Sequence, residues 1–194
     1  MEITWTEAIL SLGVGVGLAA ATGLRVFLPL LILAVTARFE WLHLSGGFEW
    51  LASTPAIAAL AVATIFEVGA YYLPLIDNFL DMVAGPLAVL AGILATAAVI
   101  TDLPPMLRWS VAIIAGGGTA GVVQSVTSIV RLKSTVFTAG LGNFVVSTLE
   151  LAGSFAASVI AILAPVIAIL LVAATMLVFF GFLRRRTLNR RPAS

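Results

Sequence analysis

The stretch Ala19-Ala20-Ala21-Thr22-Gly23-Leu24-Arg25-Val26-Phe27-Leu28-Pro29 places one arginine inside an otherwise uncharged apolar run from Ile9 to Val35. An arginine at the centre of a membrane helix costs about 2.5–3.5 kcal/mol on insertion scales, so its side chain normally faces protein or a water-filled cavity and has a partner. Gly23 and Pro29 loosen the helix at that level. The rest of the chain must therefore supply acceptors for the Arg25 guanidinium.

The composition around this stretch is that of a membrane protein. The chain of 194 residues is 61% hydrophobic and 10% charged, and its mean hydropathy is +1.17. A soluble domain carries about 25% charged residues. Apolar runs of about 20 residues, the length that crosses a bilayer, recur along the whole chain. We therefore predict an all-α, polytopic membrane protein that forms a single membrane domain over residues 1–194.

Several kinds of chemistry are excluded by the residue types present. The chain has no cysteine, and His43 is its only histidine, so we expect neither a thiolate nor a histidine-based metal site. No nucleophile triad, phosphate-binding loop or zinc-protease motif occurs. We therefore expect no enzymatic activity, no catalytic residue and no cofactor.

The apolar runs predict about six spans, some of them broken or re-entrant. Residues 134–153 are rich in glycine and only weakly hydrophobic, which favours a discontinuous helix or a loop that dips into the membrane. Residues 74–86 are bounded by prolines and form either a short amphipathic turn at the surface or a re-entrant half-helix. The remaining helices are predicted over residues 8–36 with tilt or a break, 55–73, 86–101, 106–131, and 154–183 with a kink at Pro165.

The basic residues orient these spans. Counting residues 134–153 as a crossing places Arg131, Lys133 and the basic tail at 184–194 on one side of the membrane. Arg38 and Arg108 fall on the other side, where acids offset them. This is the positive-inside pattern with both termini in the cytoplasm. The tail is interpreted as a topology signal that contacts anionic lipid, not as a nucleic-acid site. Residues 37–54, with their tryptophans, are expected to lie on the membrane surface.

The two halves of the chain share a weak pattern. Residues 8–101 and 106–184 each contain a small-residue helix face, an Asn-Phe pair before an acid, and a long apolar helix. Three spans in each half would give an inverted repeat with a site near the midplane. The alternative is that any membrane sequence rich in alanine and glycine shows internal similarity. The small-residue faces, Gly13 with Gly17 and Gly117 with Gly121, predict close helix packing, either within the chain or between copies in a homo-oligomer.

Seven polar residues in or near the apolar segments are candidates for an ion- or substrate-binding site. Arg25 binds an anionic group, gates a pathway or forms a structural ion pair. Glu67 is its counter-charge, a proton site or a side chain that reaches the interface. Asp77 and Asp81 stand one turn apart; they form a cation or proton site if they are buried, and belong to a solvated turn if they are not. The side-chain amides of Gln124 and Asn143 either line a polar path or form interhelical hydrogen bonds. The seven candidates are Arg25, Glu67, Asp77, Asp81, Gln124, Asn143 and Glu150.

The partner of Arg25 is predicted to be a carboxylate at membrane depth. Glu67 is the first candidate, because the second helix returns to the depth of Arg25 after the surface loop. Glu150 is the second, since in a pseudo-symmetric bundle it approaches from the opposite side, and Asp77 and Asp81 are the remaining candidates. The guanidinium stays charged and presents five donors, so it requires such a partner.

The stretch Gly23-Leu24-Arg25-Val26-Phe27-Leu28-Pro29 resembles the N-terminal signature of a family of small bacterial integral membrane proteins catalogued as a domain of unknown function. The resemblance implies a multi-pass protein of the bacterial inner membrane and implies no activity. Tyr71-Tyr72 stand where the family pattern often has an acid and a lysine. A fainter likeness links residues 22–32 to the undecaprenyl-pyrophosphate phosphatases, whose catalytic acids and serine-arginine motif are absent here. The family resemblance continues at Glu67, at Pro74 with Asp77 and Asp81, and at 142–147 followed by Glu150.

These observations favour a small transporter or channel-like protein whose polar site takes a small ion or anionic substrate. The alternative is a scaffold, assembly or lipid-binding protein whose buried charges are structural. A scaffold needs one acid for Arg25, whereas this chain places several acids and amides in apolar segments. The balance of polar residues therefore favours transport, with membrane lipids as the other expected partner.

Overall fold

The computed structural model describes residues 5–70, 74–101, 103–138 and 142–188, with the side chains of 5, 74–82, 182–183 and 185–188 left aside. Within these ranges all regular structure is helical, which confirms the predicted all-α class. A 3-10 turn occupies Glu49–Ala52, and a π-helical segment, Ala112–Gly117, joins α5 and α6 into one continuous helix. The helices are α1 (Trp5–Thr22), α2 (Phe27–Arg38), α3 (Thr54–Ala70), α4 (Pro74–Val99), α5 (Pro105–Val111), α6 (Gly118–Thr138), α7 (Asn143–Leu163) and α8 (Pro165–Leu188).

The exterior of the bundle is apolar. Two continuous helices, Pro105–Thr138 and Asn143–Leu163, are long and apolar enough to cross a membrane, and the other apolar stretches of 10–17 residues are shorter. Large side chains such as Phe66 and Phe137 are exposed by 72% and 83%. Apolar surface of this extent marks a protein that contacts lipid or a partner. The helices and their exterior therefore support a membrane protein.

Helix α1 lies at the centre and runs antiparallel to α4. It packs against α4, α6, α7 and α8. The Thr22 hydroxyl lies 3.4 Å from the carbonyl oxygen of Ala88, and eight residues later on α4 the Thr96 hydroxyl donates to the carbonyl oxygen of Gly15 at 3.0 Å. These two contacts set the register of the α1–α4 pair.

Helix α2 turns back alongside α1 and does not continue it. The loop after α2 closes over the end of α4, where the Ser45 amide donates to Ala98 and the Ser45 hydroxyl to Ala97, both at 2.7 Å. Residues 41–43 of this loop line the same cavity as Ser11 of α1. The helix predicted over 8–36, with tilt or a break, is therefore two helices: the chain reverses at Gly23–Val26 and forms a helical hairpin.

Three other predicted boundaries are wrong. Residues 74–86 are neither a separate turn nor a half-helix, because α4 continues through Pro86, and membrane helices tolerate such a proline. Residues 134–153 contain the end of α6 and the start of α7, joined by a short connection. The last helix is divided at Ala164, because Pro165 begins α8 and does not kink a longer helix.

The small-residue faces pack within the chain. A Cβ atom at Gly17 would lie 2.6 Å from the Cβ of Ala161 on α7, and one at Gly117 would lie 2.9 Å from Ile93 on α4. Only glycine therefore allows these helices to approach so closely. The predicted faces serve packing inside the bundle, and a homo-oligomer stays a prediction.

The bundle has two ends, which we name by their connections. The loop end holds the loop at 39–53 and Ala164, and the turn end holds the α6–α7 connection around Gly142. Helix α8 leaves the loop end parallel to α1, since Ala168 faces Gly17, while Leu24 and Met176 border one cavity further along. The start of α1 and the last turns of α8 therefore lie at opposite ends.

Candidate functional site

The tip of the α1–α2 hairpin carries Arg25 into the interior of the bundle. The Arg25 side chain is 1% exposed. Its NH2 nitrogen donates to the Ser147 carbonyl oxygen at 2.8 Å and also to the Ser147 hydroxyl. The same nitrogen lies 3.7 Å from Oε2 of Glu150. The hairpin thus places a cation against α7, and the carboxylate at ion-pair distance is Glu150, the second of the predicted partners.

Glu150 also binds a second buried arginine. Arg131 on α6 is 4% exposed. Its Nε donates to Oε1 of Glu150 at 2.9 Å, and its NH2 donates to Oε2. Such a two-point contact fixes both side chains more strongly than a single hydrogen bond. One carboxylate therefore faces two guanidinium groups.

Arg131 is a site residue that the sequence-based prediction lacks. The prediction places Arg131 with the basic residues at the membrane surface, because Lys133 follows it closely at the predicted end of its helix. Gln124 and Thr127 precede Arg131 by seven and four residues, so the three share one face of α6. All three are buried. This helical spacing is the signal that could have identified Arg131.

Glu67 closes the cluster from α3. Its Oε1 accepts the backbone N–H of Val26 at 2.7 Å, and its Oε2 accepts that of Phe27 at 3.0 Å. The donors are the capping residue before α2 and its first residue. N–H groups at this end have no partner within the helix, and the helix dipole favours an anion there. Arg25 and Arg131 also act electrostatically on this carboxylate. Arg25, Glu67, Arg131 and Glu150 form what we call the charged cluster.

A polar seam connects this cluster to the turn end. Asn143 on α7 donates to the Thr135 hydroxyl on α6 at 2.9 Å, and the Gly142 amide donates to the Thr138 hydroxyl at 2.8 Å. Arg131 precedes the end of α6, and Glu150 follows the start of α7, each by seven residues or about 10 Å at 1.5 Å per residue. The polar seam, Thr135, Thr138, Gly142 and Asn143, spans this distance.

The buried face of α7 continues the polar character beyond the cluster. Ser147, Glu150, Ser154 and Ser158 stand three or four residues apart and are all buried, because this spacing keeps them on one side of a helix. The Ser154 hydroxyl donates to the carbonyl oxygen of Ala21 at 3.0 Å. The chain therefore turns a polar face of α7 toward the hairpin and leaves apolar side chains outside.

The comparison with protein families matches this chain over residues 12–185 with the model described as Domain of unknown function (DUF4126). The chain belongs to the DUF4126 family. The matched range includes the charged cluster and the polar seam, and the family resemblance in the sequence is confirmed. No curated protein and no solved structure matches the chain. The likeness to undecaprenyl-pyrophosphate phosphatases stays a prediction.

The seven predicted site residues of this DUF4126 protein divide into three groups. Arg25, Glu67 and Glu150 meet in the charged cluster. Asn143 belongs to the polar seam. Gln124 is buried on α6, where its Nε2 lies 3.5 Å from the Ser128 hydroxyl one turn away. This contact of Gln124 therefore lies within one helix and does not link two. Asp77 and Asp81 belong to the helical range of α4, and their side chains lie outside the described set.

Proposed function

We propose that this chain is a small multi-pass transporter or channel-like protein of the bacterial inner membrane, with a small inorganic anion as its substrate. The observation that carries the proposal is that Arg25 and Arg131 share the carboxylate of Glu150 at the inner end of the polar seam. Charged side chains at membrane depth are costly and normally mark ion or substrate pathways. The proposal assigns no catalytic step and no cofactor.

Glu150 acts in this proposal as an internal counter-ion. An anion arriving along the polar seam would compete with its carboxylate for the guanidinium groups of Arg25 and Arg131. The α2 N-terminus already has its carboxylate, because Glu67 accepts the Val26 and Phe27 amides. The carboxylate that the incoming anion displaces is therefore assigned to Glu150 and not to Glu67.

The proposed orientation places the turn end in the cytoplasm. Lys133 is exposed near this end, and α8 leads toward it with Arg184-Arg185-Arg186, which follows the positive-inside rule. Crossings are assigned to α3, α4, the continuous α5–α6 helix, α7 and α8. The α1–α2 hairpin re-enters from the outer side, so the start of α1 lies outside. This orientation replaces the expectation that both termini are cytoplasmic.

The inverted repeat stays a prediction. The first half begins with a hairpin that reverses at Gly23–Val26, whereas the second begins with a continuous helix, Pro105–Thr138. The proposed site does not depend on a repeat, since it uses the hairpin tip and one face each of α3, α6 and α7.

A structural role for the charged cluster is the second candidate. Two arginines and two glutamates give the cluster a formal charge of zero, and both carboxylates accept specific protein donors. A compensated buried network can serve to hold a bundle together, as in a scaffold, assembly or lipid-binding protein. Measured ion movement distinguishes the two candidates.

The experiment is ion flux in proteoliposomes loaded with chloride, nitrate or phosphate. Under transport, the wild-type protein produces flux above protein-free liposomes, and Glu150→Gln changes its rate or anion preference at least tenfold. Glu40→Gln, which alters an exposed carboxylate, is the matched control and stays within twofold. A folded wild-type protein that conducts none of these anions would refute the transport proposal and favour a structural cluster.

A further inference from the structure

A lateral cleft lies between α1, α6, α7 and α8, separate from the charged cluster. Its volume is about 310 Å³, and its lining includes Gly17, Ala20 and Leu24 on α1, Val126 on α6 and Ala157 on α7. The small side chains of Ala20 and Ala157 leave the space open. We infer that this cleft holds one acyl chain of an anionic phospholipid whose headgroup contacts basic residues at the turn end.

The chemistry of the cleft favours a hydrocarbon chain over water or an ion. Two threonines, Thr127 and Thr175, contribute hydroxyl groups to the lining. The Thr127 hydroxyl donates to the backbone carbonyl oxygen of Gln124 at 2.9 Å, and the Thr175 hydroxyl donates to that of Leu171 at 2.8 Å, each within its own helix. A water molecule needs two to four polar partners, and apolar cavities stay dry. The cleft therefore offers dispersion contacts to an apolar occupant.

The charge at one end of the cleft selects the headgroup. Lys133 stands seven residues after Val126, so it follows on the same face of α6, about 10 Å nearer the turn end at 1.5 Å per residue. Lys133 is exposed. On the other wall, α8 continues from Met176 to Arg184-Arg185-Arg186. Basic residues at this level attract anionic lipid headgroups, and a chain in the cleft would place its phosphate there.

The inference is tested by native mass spectrometry of the full chain released from bilayers with equal phosphatidylglycerol and phosphatidylcholine. The wild-type protein is expected to retain one phosphatidylglycerol at least fivefold more often than one phosphatidylcholine. Ala157→Leu fills the cleft and should lower lipid retention at least fivefold. Lys133→Gln should reduce the preference for phosphatidylglycerol while retention of phosphatidylcholine stays unchanged.

Matched controls exclude general effects of size and charge. Ala59→Leu adds the same side chain on an exposed position of α3, and Arg38→Gln removes an exposed cation at the loop end; neither should change retention. Ala20→Leu replaces Ala157→Leu if that variant does not fold. Equal retention of both lipids by the wild type, unchanged retention after the cleft is filled, or a second copy of the chain in place of lipid would each overturn the inference. The lipid-retention test and the flux test measure different properties, so either can fail without the other.

Discussion

Arg131 donates two hydrogen bonds to the carboxylate of Glu150 across the α6–α7 interface. This contact holds Oε2 of Glu150 at 3.7 Å from the NH2 nitrogen of Arg25. The carboxylate therefore compensates a cation on the neighbouring helix and one at the hairpin tip. Because α6 and α7 are joined by a short connection, the pair also fixes how deep the hairpin tip can lie between them.

Replacement of Glu150 should destabilise the bundle strongly. Glu150→Gln keeps the size of the side chain but leaves two buried guanidinium groups without its charge, and breaking a buried pair typically costs about 3–5 kcal/mol. Thermal or denaturant unfolding in detergent measures the effect, with exposed Glu40→Gln as the control. The double variant Arg131→Met with Glu150→Leu should be less destabilised than Glu150→Gln. A Glu150→Gln protein as stable as Glu40→Gln would contradict the assignment.

Glu67 should be required for the first turn of α2. Glu67→Ala leaves the amides of Val26 and Phe27 without this acceptor, and each unsatisfied buried group costs about 1–3 kcal/mol. Glu67→Gln should cost less, because its carbonyl oxygen still accepts one N–H. Hydrogen exchange at Val26 and Phe27 should accelerate in parallel with the loss of stability.

The control for Glu67 is Glu49→Ala. Glu49 also binds a backbone amide, that of Gly47 at 2.8 Å, but in an exposed loop. Water can replace that contact, so the variant should lose less than Glu67→Ala. Equal losses at both positions would show that burial at the hairpin tip does not matter.

The hairpin predicts which positions share a side of the membrane. Because the chain has no cysteine, single cysteines can be labelled with an impermeant thiol reagent in oriented membranes. Thr6→Cys and Glu40→Cys should react from the same side, and Lys133→Cys from the opposite side. Reaction of Thr6→Cys together with Lys133→Cys would instead restore the topology with both termini in the cytoplasm.

Gly23 should tolerate no side chain. A Cβ atom there would lie 2.6 Å from the Cβ of Val123 and 2.7 Å from the carbonyl oxygen of Ala120, so Gly23→Ala should cost about 1–3 kcal/mol through overpacking. Gly85→Ala is the matched control, since nothing lies within 4 Å of its added Cβ. In a helix interior that change should stabilise by up to about 1 kcal/mol. Unfolding measurements with the same sign for both variants would contradict the packing at the tip.

The residues of the first apolar run determined much about this protein without the fold. A charge such as Arg25, surrounded by long apolar segments, requires a membrane environment, a break in the helix nearby and a carboxylate at the same depth. The motif around Arg25 also identified the family. Each of these conclusions depends on local composition, which hydropathy measures directly.

The tertiary structure alone decided the direction of the chain after Arg25 and the role of Arg131. Hydropathy over 8–36 is the same for one long helix and for a hairpin, because an apolar run contains no information about direction. The reversal is stabilised by Glu67, which accepts the Val26 and Phe27 amides from forty residues away. Likewise, Arg131 lies two residues before an exposed lysine, and only its contact with Glu150 shows that its charge is buried. Long-range hydrogen bonds to backbone and carboxylate groups determine both the reversal and the burial of Arg131, and a local sequence pattern does not specify such bonds.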